Sequence, residues 1–232
     1  MGLIEIGGVI LSRAAQRVEL CAENLANATT PGYKARSSFS TLITDGTPTS
    51  VVNGGSESSG TDFTNGALQN TGNPLDLAIS GSGFFAVRDS DQTFYTRSGQ
   101  FSRDAHGHMV TPAGLVLQSV SGDMVLGAGD PKVLPDGTVT TDGEPAGRVA
   151  VVNFEDQKDL KPAGGGLFTA PAAAAKPASA ELRQGMLEAS NVSTAVEMIS
   201  IMSGLRAAGS GQKVVQLYDD LMGRAVTAFG QS

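Results

Sequence analysis

Apolar residues recur at Ile4, Leu11, Val18 and Leu25, seven positions apart, and Gly8, Ala15 and Ala22 lie four residues after each of the first three. This spacing predicts an amphipathic helix over residues 3–27 with a coiled-coil seam and a small-residue side. Asn27, Thr29, Thr30, Pro31 and Gly32 then crowd together. Proline pushes the residue before it out of helical geometry, so the helix ends near Asn27. At ~1.5 Å per residue it is about 38 Å long, and its narrow stripe needs a partner.

The matching pattern lies at the opposite end of the chain. Over residues 193–229, Ile201, Ala208, Val215, Met222 and Phe229 repeat every seven positions, with Met198, Leu205 and Val226 beside them. A second helix of about 55 Å follows, with Asn191 or Ser193 capping its start. Gly209 and Gly211 interrupt it, each at a cost of about 1 kcal/mol relative to Ala, and predict a weak point or a bend. The two stripes are complementary, so the termini are expected to meet.

Between them the period falls to two. Strands are predicted at 75–79, 84–88, 93–96, 100–102, 109–110, 115–120, 132–134, 139–140, 148–154 and 167–169, joined by turn pairs such as Ser98-Gly99, His106-Gly107 and Asp136-Gly137. The predicted class is α+β: an all-β central module of short antiparallel strands inserted between long N- and C-terminal helices that pair as a coiled coil. The predicted domains are 1–34, a helix and turn; 35–65, an extended and mobile Ser/Thr/Gly-rich connection; 66–184, a β-rich outer domain; and 185–232, the C-terminal helix.

Composition narrows the function. In 232 residues, 30 Gly, no Trp and 5% aromatics are thin material for one large core, which favours a domain with extensions. A net charge of −7 with no Lys/Arg cluster argues against nucleic acid. The single Cys21 excludes an internal disulfide and reads as a buried structural thiol beside Leu25. The N-terminus does not read as a cleaved secretory signal, and no apolar stretch reaches the ~18 residues of a membrane span.

Candidate chemistry is sparse. Gly81-Ser82-Gly83 reads as a turn, because Ala86 stands where a dinucleotide loop needs its third glycine and a strand follows. His106 and His108 flank Gly107 without other ligands at metal spacing, and Asp89 with Asp91 reads as a solvated loop tip. No Gly-x-Ser-x-Gly elbow occurs. The expectation is a non-enzyme with no catalytic, metal-binding or cofactor-binding residue. A carbohydrate- or peptide-binding module is the competing class, but Phe84, Phe85, Phe94, Tyr95 and Phe101 sit on strand patterns and read as core.

Three groups of motifs are specific. They are Asn24-Leu25-Ala26-Asn27 with Thr30-Pro31-Gly32-Tyr33-Lys34; Thr71-Gly72-Asn73-Pro74-Leu75-Asp76-Leu77-Ala78-Ile79 with Gly81, Gly83-Phe84-Phe85 and Tyr95-Thr96-Arg97-Ser98-Gly99-Gln100-Phe101; and Gly185-Met186-Leu187-Glu188-Ala189-Ser190-Asn191-Val192 with Glu197-Met198-Ile199. In this order they resemble the flagellar basal-body rod and hook family, and the compact 139–177 stretch looks most like its proximal-rod members, with distal-rod members as the alternative. One departure stands out: the family's last helix commonly has an aromatic residue soon after an Arg-Ala pair, whereas Arg206-Ala207 is followed here by Ala208 and Gly209-Ser210-Gly211.

The resemblance implies a structural rod subunit, part of the shaft that carries torque from motor to hook across the periplasm. It also implies export by the flagellar type III apparatus without a cleaved signal, and partners that are further copies and other rod proteins. The stripes and motifs together assign Leu11, Val18, Asn24, Leu25, Asn27, Pro31, Gly32, Tyr33, Asn191, Val192, Met198, Leu205, Val215 and Met222 to the assembly interface.

Overall fold

A computed structural model describes residues 3–39, 58–90, 92–178 and 180–229. Most of the predicted 35–65 connection, Asp91, and the side chains of Ile4, Val226 and Phe229 lie outside what is described. The chain divides into two compact units: residues 1–26, 35–62 and 192–232 form one, and residues 27–34 with 63–191 form the other.

The first unit is built on two helices, α1 (Leu3–Ala26) and α2 (Thr194–Phe229). They run antiparallel: Gly7 faces Gly211 and Val215, Ala14 and Val18 face Gly204, and Cys21 lies beside Glu197. The seam keeps the predicted seven-residue repeat but in a different phase. Gly7, Ala14 and Cys21 are buried in it, whereas Gly8, Ala15 and Ala22 are exposed, and Leu11, Val18 and Leu25 are half-buried on its flanks. Small side chains occupy the centre because the two backbones approach too closely for large ones. A Cβ added at Gly204 would lie 2.7 Å from Val18 Cγ2.

The same contact gives Gly211 of the second helix, where a weak point or a bend is expected, a packing role. α2 runs without interruption through Gly209 and Gly211. Gly211 is buried, and a Cβ there would lie 3.1 Å from Leu11 Cγ and 3.2 Å from Ile10 Cγ2. The glycine lets α1 approach, and its packing offsets its poor helix propensity. The described ends of the predicted connection are also ordered into strands: Arg36–Phe39 pairs antiparallel with Ser58–Thr61.

The second unit is made of short antiparallel strands. Its central strand, Phe84–Arg88, pairs with Thr93–Thr96, Val116–Ser119 and Val151–Phe154. Successive side chains of a strand point to opposite faces. Phe85 and Val87 enter a core with Leu77, Met109, Leu117 and Val139, while Phe84 and Ala86 enter another with Tyr95, Phe154 and Phe168. Burial on both faces explains why Phe84–Arg88 reads as an unbroken apolar run. Phe101 is buried and Phe94 half-buried, so the aromatic residues serve as core.

Several boundaries moved. The predicted 148–154 strand is divided into Glu144–Arg148 and Val151–Phe154, and 100–102 shifts to Ser102–Arg103. Leu77, Ala78 and Ile79 are all buried, where half-burial was expected, because Glu181–Gln184 pairs with this strand. Met186–Glu188, expected to lead into the last helix, is a strand paired with Leu68–Asn70. That pairing joins residues more than a hundred positions apart, and no local pattern announces it.

Candidate assembly site

The strongest polar feature of the β unit is a buried ion cluster on Glu188. The Lys34 ammonium donates to Glu188 Oε1 at 2.6 Å and to the Thr64 carbonyl at 2.7 Å. Gly66 N donates to the same carboxylate oxygen at 2.8 Å. Arg97 donates to Glu188 Oε2 at 3.2 Å and to the Gly81 carbonyl at 2.8 Å, with its guanidinium 5.3 Å from the Phe84 ring centroid. Burial lowers the pKa of Arg97 from its ordinary value, and the charge and hydrogen bond of Glu188 act against that. Two cations and one carboxylate are thus removed from water together; carbonyls and a backbone N–H supply most of their remaining hydrogen bonds, and Arg97 Nε is buried without a partner.

Backbone geometry locks the same place. Gly32 adopts φ +69° and donates its N–H to the Glu188 carbonyl at 2.7 Å. A Cβ on Gly32 would fall 2.3 Å from the backbone of Arg97 and Ser98. Asn191 N donates to the Tyr33 carbonyl, and the Asn191 amide donates to the Thr64 carbonyl. Gly99 is packed so tightly that a Cβ would lie 1.6 Å from the Leu77 carbonyl oxygen. Asp76 accepts from Thr71 Oγ1 at 2.7 Å and from Asn73 Nδ2 at 3.0 Å, and its carbonyl accepts from Gly185 N. Parts of all three motif groups, within residues 30–34, 71–101 and 185–191, therefore meet in the β unit around Glu188 and Asp76.

The first unit holds its own polar pin. Asn24 is 1% exposed, accepts from Arg36 N at 2.9 Å and donates to the Arg36 carbonyl at 2.7 Å, as a paired strand residue would. Its amide also donates to Glu197 Oε1 at 3.0 Å, joining α1, α2 and the Arg36–Phe39 strand. Cys21 beside it is pushed up to about 11 by burial first and then by the hydrogen bond and charge of Glu197.

The structure separates the sequence-assigned residues into three groups. Asn27, Pro31, Gly32, Tyr33 and Asn191 belong to the β unit, with Asn27 closing the turn through the Thr30 N–H and hydroxyl. Leu11, Val18, Leu25 and Val215 are half-buried, Asn24 is buried and Val192 is half-buried, all in the first unit. Met198, Leu205 and Met222 are 57%, 58% and 48% exposed on α2. Lys34, Arg97 and Glu188 stand within the motifs, and their roles emerge only in the folded unit. Their signal was a charge beside tightly packed glycines and aromatics, but the partner of each lies far along the chain.

Elsewhere the polar groups close turns. Asp104 accepts from the N–H groups of His106 and His108, and its second oxygen lies 3.1 Å from His108 Nδ1. Asp89 pairs with Gln92 across a turn. Among the described residues, no group of three His, Cys, Asp or Glu residues is placed to hold a metal ion, and no helix is long and apolar enough to cross a membrane.

Comparison with known proteins agrees with this arrangement. Residues 78–150 match the model for the flagellar hook protein FlgE/F/G D1 domain, and residues 183–228 match the flagellar basal body rod FlgEFG protein C-terminal model. The chain is 31% identical to flagellar basal-body rod protein FlgF of Caulobacter vibrioides, covering 93% of each chain. It is 30% identical to FlgG of Agrobacterium fabrum over 95% of this chain and 97% of the relative. FlgF of Salmonella typhimurium is also 30% identical, over 92% of each. With its paired terminal helices, inserted β unit and matches along nearly its whole length, the chain belongs to the flagellar rod and hook family, among the FlgF- and FlgG-like rod proteins.

Proposed function

We propose that the chain is a structural subunit of the flagellar basal-body rod, assembling through its terminal helix pair into the shaft that carries torque from motor to hook. The observation that carries this reading is the outer surface of α2. Val196, Met198, Ile199, Met202, Leu205, Leu217, Leu221 and Met222 are between 48% and 63% exposed along one helix. The intramolecular seam uses small residues, so the large apolar side chains remain for neighbours. Leu11, Val18, Leu25 and Val215 border the seam, where an adjacent subunit completes their burial.

In this reading Asn24 holds the helix pair in register, while Asn27, Pro31, Gly32, Tyr33 and Asn191 brace the β unit itself and Val192 leads into α2. The partners are further copies and other rod proteins. The chain reaches the periplasmic rod through the flagellar type III export apparatus. The compact 139–177 stretch supports a proximal, FlgF-like position, and the FlgG relatives of similar identity keep a distal position as the second reading. Fractionation of cells carrying an epitope-tagged chain tests the assignment. The chain is expected to co-purify with detergent-extracted basal bodies; its recovery only from other fractions, with basal bodies intact, would contradict it.

A further inference from the structure

Residues 64–67 run past the Glu188 cluster and are anchored on both sides of one exposed residue. The Thr64 carbonyl accepts from Lys34 Nζ at 2.7 Å and from the Asn191 amide at 3.1 Å. Gly66 N donates to Glu188 Oε1 at 2.8 Å, and the Ala67 carbonyl accepts from Ala189 N at 2.8 Å. Between these anchors Asn65 is exposed, and its side-chain amide reaches the Gly81 carbonyl at 3.4 Å. A Cβ on Gly66 would fall 1.9 Å from the Ala189 carbonyl oxygen, so the position takes no larger residue without moving backbone.

Packing thus requires the glycine of an Asn-Gly pair, and that pair has a chemistry of its own. In a free chain the backbone N of the glycine loses its proton to solvent and bonds to the asparagine Cγ. The Cγ–Nδ2 bond breaks, and the amide nitrogen takes up a proton and leaves as ammonia. The glycine has no side chain to hinder the approach. Water then opens the five-membered imide at either carbonyl and leaves an aspartyl or an isoaspartyl residue. One water is consumed and one ammonia released, with no oxidant or cofactor.

We infer that Asn65-Gly66 is a self-modification site, closed in the folded β unit and open in the unfolded chain. Attack requires the Gly66 peptide to turn toward Asn65 Cγ. That turn breaks the bond from Gly66 N to Glu188, whose carboxylate is itself fixed by Lys34 and Arg97. A backbone N–H held by a buried partner is released only when its segment opens. The isoaspartyl product carries one extra main-chain carbon between Thr64 and Gly66, which displaces Gly66 N from Glu188 while Thr64 stays on Lys34. A chain that remains unfolded is therefore marked at position 65, and its isoaspartyl form is excluded from the folded β unit.

Incubation of the full chain in mildly alkaline buffer, with and without urea, tests it, with peptide mass mapping of the amide-to-acid mass gain. Asn53-Gly54, the other Asn-Gly pair of the sequence, lies outside the described residues and calibrates the reaction in urea. In urea the two pairs are expected to react at similar rates, and without urea Asn65 is expected to slow by at least about ten-fold. Asn65 reacting as fast in the folded chain as in urea, or staying intact in urea while Asn53 reacts, would overturn the inference. The part played by Glu188 is read from two variants whose folding is verified by protease resistance. Glu188→Gln replaces the charged acceptor of Gly66 N and is expected to speed the reaction at Asn65 by about three-fold or more. Val139→Ala, which trims the core and removes none of these hydrogen bonds, is expected to leave it unchanged. Equal rates in the two variants would contradict closure by Glu188. When urea is removed, isoaspartyl chains are expected to be depleted from the protease-resistant fraction, and an undiminished share there would contradict their exclusion.

Discussion

The Lys34 ammonium meets Glu188 Oε1 at 2.6 Å, with both side chains 1% exposed, so two residues of the β unit 154 positions apart are held as one buried pair. Arg97 shares the carboxylate. Glu188→Gln keeps the shape but leaves two cations facing a neutral amide. Breaking a buried pair from one side costs about 3–5 kcal/mol, and a loss of that size is expected in urea unfolding of the β unit. A change below about 1 kcal/mol would mean that water reaches the cluster.

The cluster also defines what folds. A fragment spanning residues 66–184 lacks Lys34 and Glu188, and Arg97 would be buried without its carboxylate. Such a fragment is expected to lose near-UV circular dichroism and be rapidly degraded by protease. Residues 27–191 are expected to keep a resistant β unit. Equal resistance of the two fragments would show that the 27–34 segment is a passenger.

Glycines on α2 give opposite results five residues apart. Nothing lies within 4 Å of a Cβ added at Gly209, so Gly209→Ala is expected to raise stability by about 0.5–1 kcal/mol. Gly204→Ala pushes into Val18 and is expected to lower it by about 1–3 kcal/mol. Thermal melting followed at 222 nm reads both signs. Stabilisation by Gly204→Ala would contradict the close seam.

Cys21 makes the helix pair sensitive to alkali. Burial and then Glu197 raise its thiol pKa from 9.0 to about 11, so the fold favours the neutral form. Below pH 9 the thiol is neutral in both states and its contribution is fully present. Between pH 9 and 11 the unfolded thiol ionises first, and the contribution is lost. Melting curves across that range are expected to fall more steeply for the native chain than for Cys21→Ala, and parallel curves would refute the shift.

What the sequence made legible follows the range of the interaction. The period of seven placed both helices, and short apolar runs between turn residues placed the strands Phe84–Arg88 and Thr93–Thr96, because both signals are written within a few residues. The phase of the seam was misread since large apolar residues attract attention, whereas Gly7, Ala14, Gly204 and Gly211 permit the contact by what they lack. The Glu188 cluster was hidden differently. Its residues stood within recognisable motifs, but the pairing of position 34 with 188 belongs to tertiary structure. Asn24 shows the same limit: it lies at the end of a helix, yet its partners are Arg36 and Glu197.

The central claim is that α2 presents its apolar outer face to neighbouring subunits. Its most direct test is incorporation of Met202→Asp and Leu205→Asp chains into basal bodies, compared with Val120→Asp, which alters an exposed side chain of the β unit. Circular dichroism and protease resistance verify that each chain folds. The account predicts that the two α2 variants fold but are absent from basal bodies, while the Val120 variant is incorporated. Folded α2 variants incorporated at the native level would contradict it.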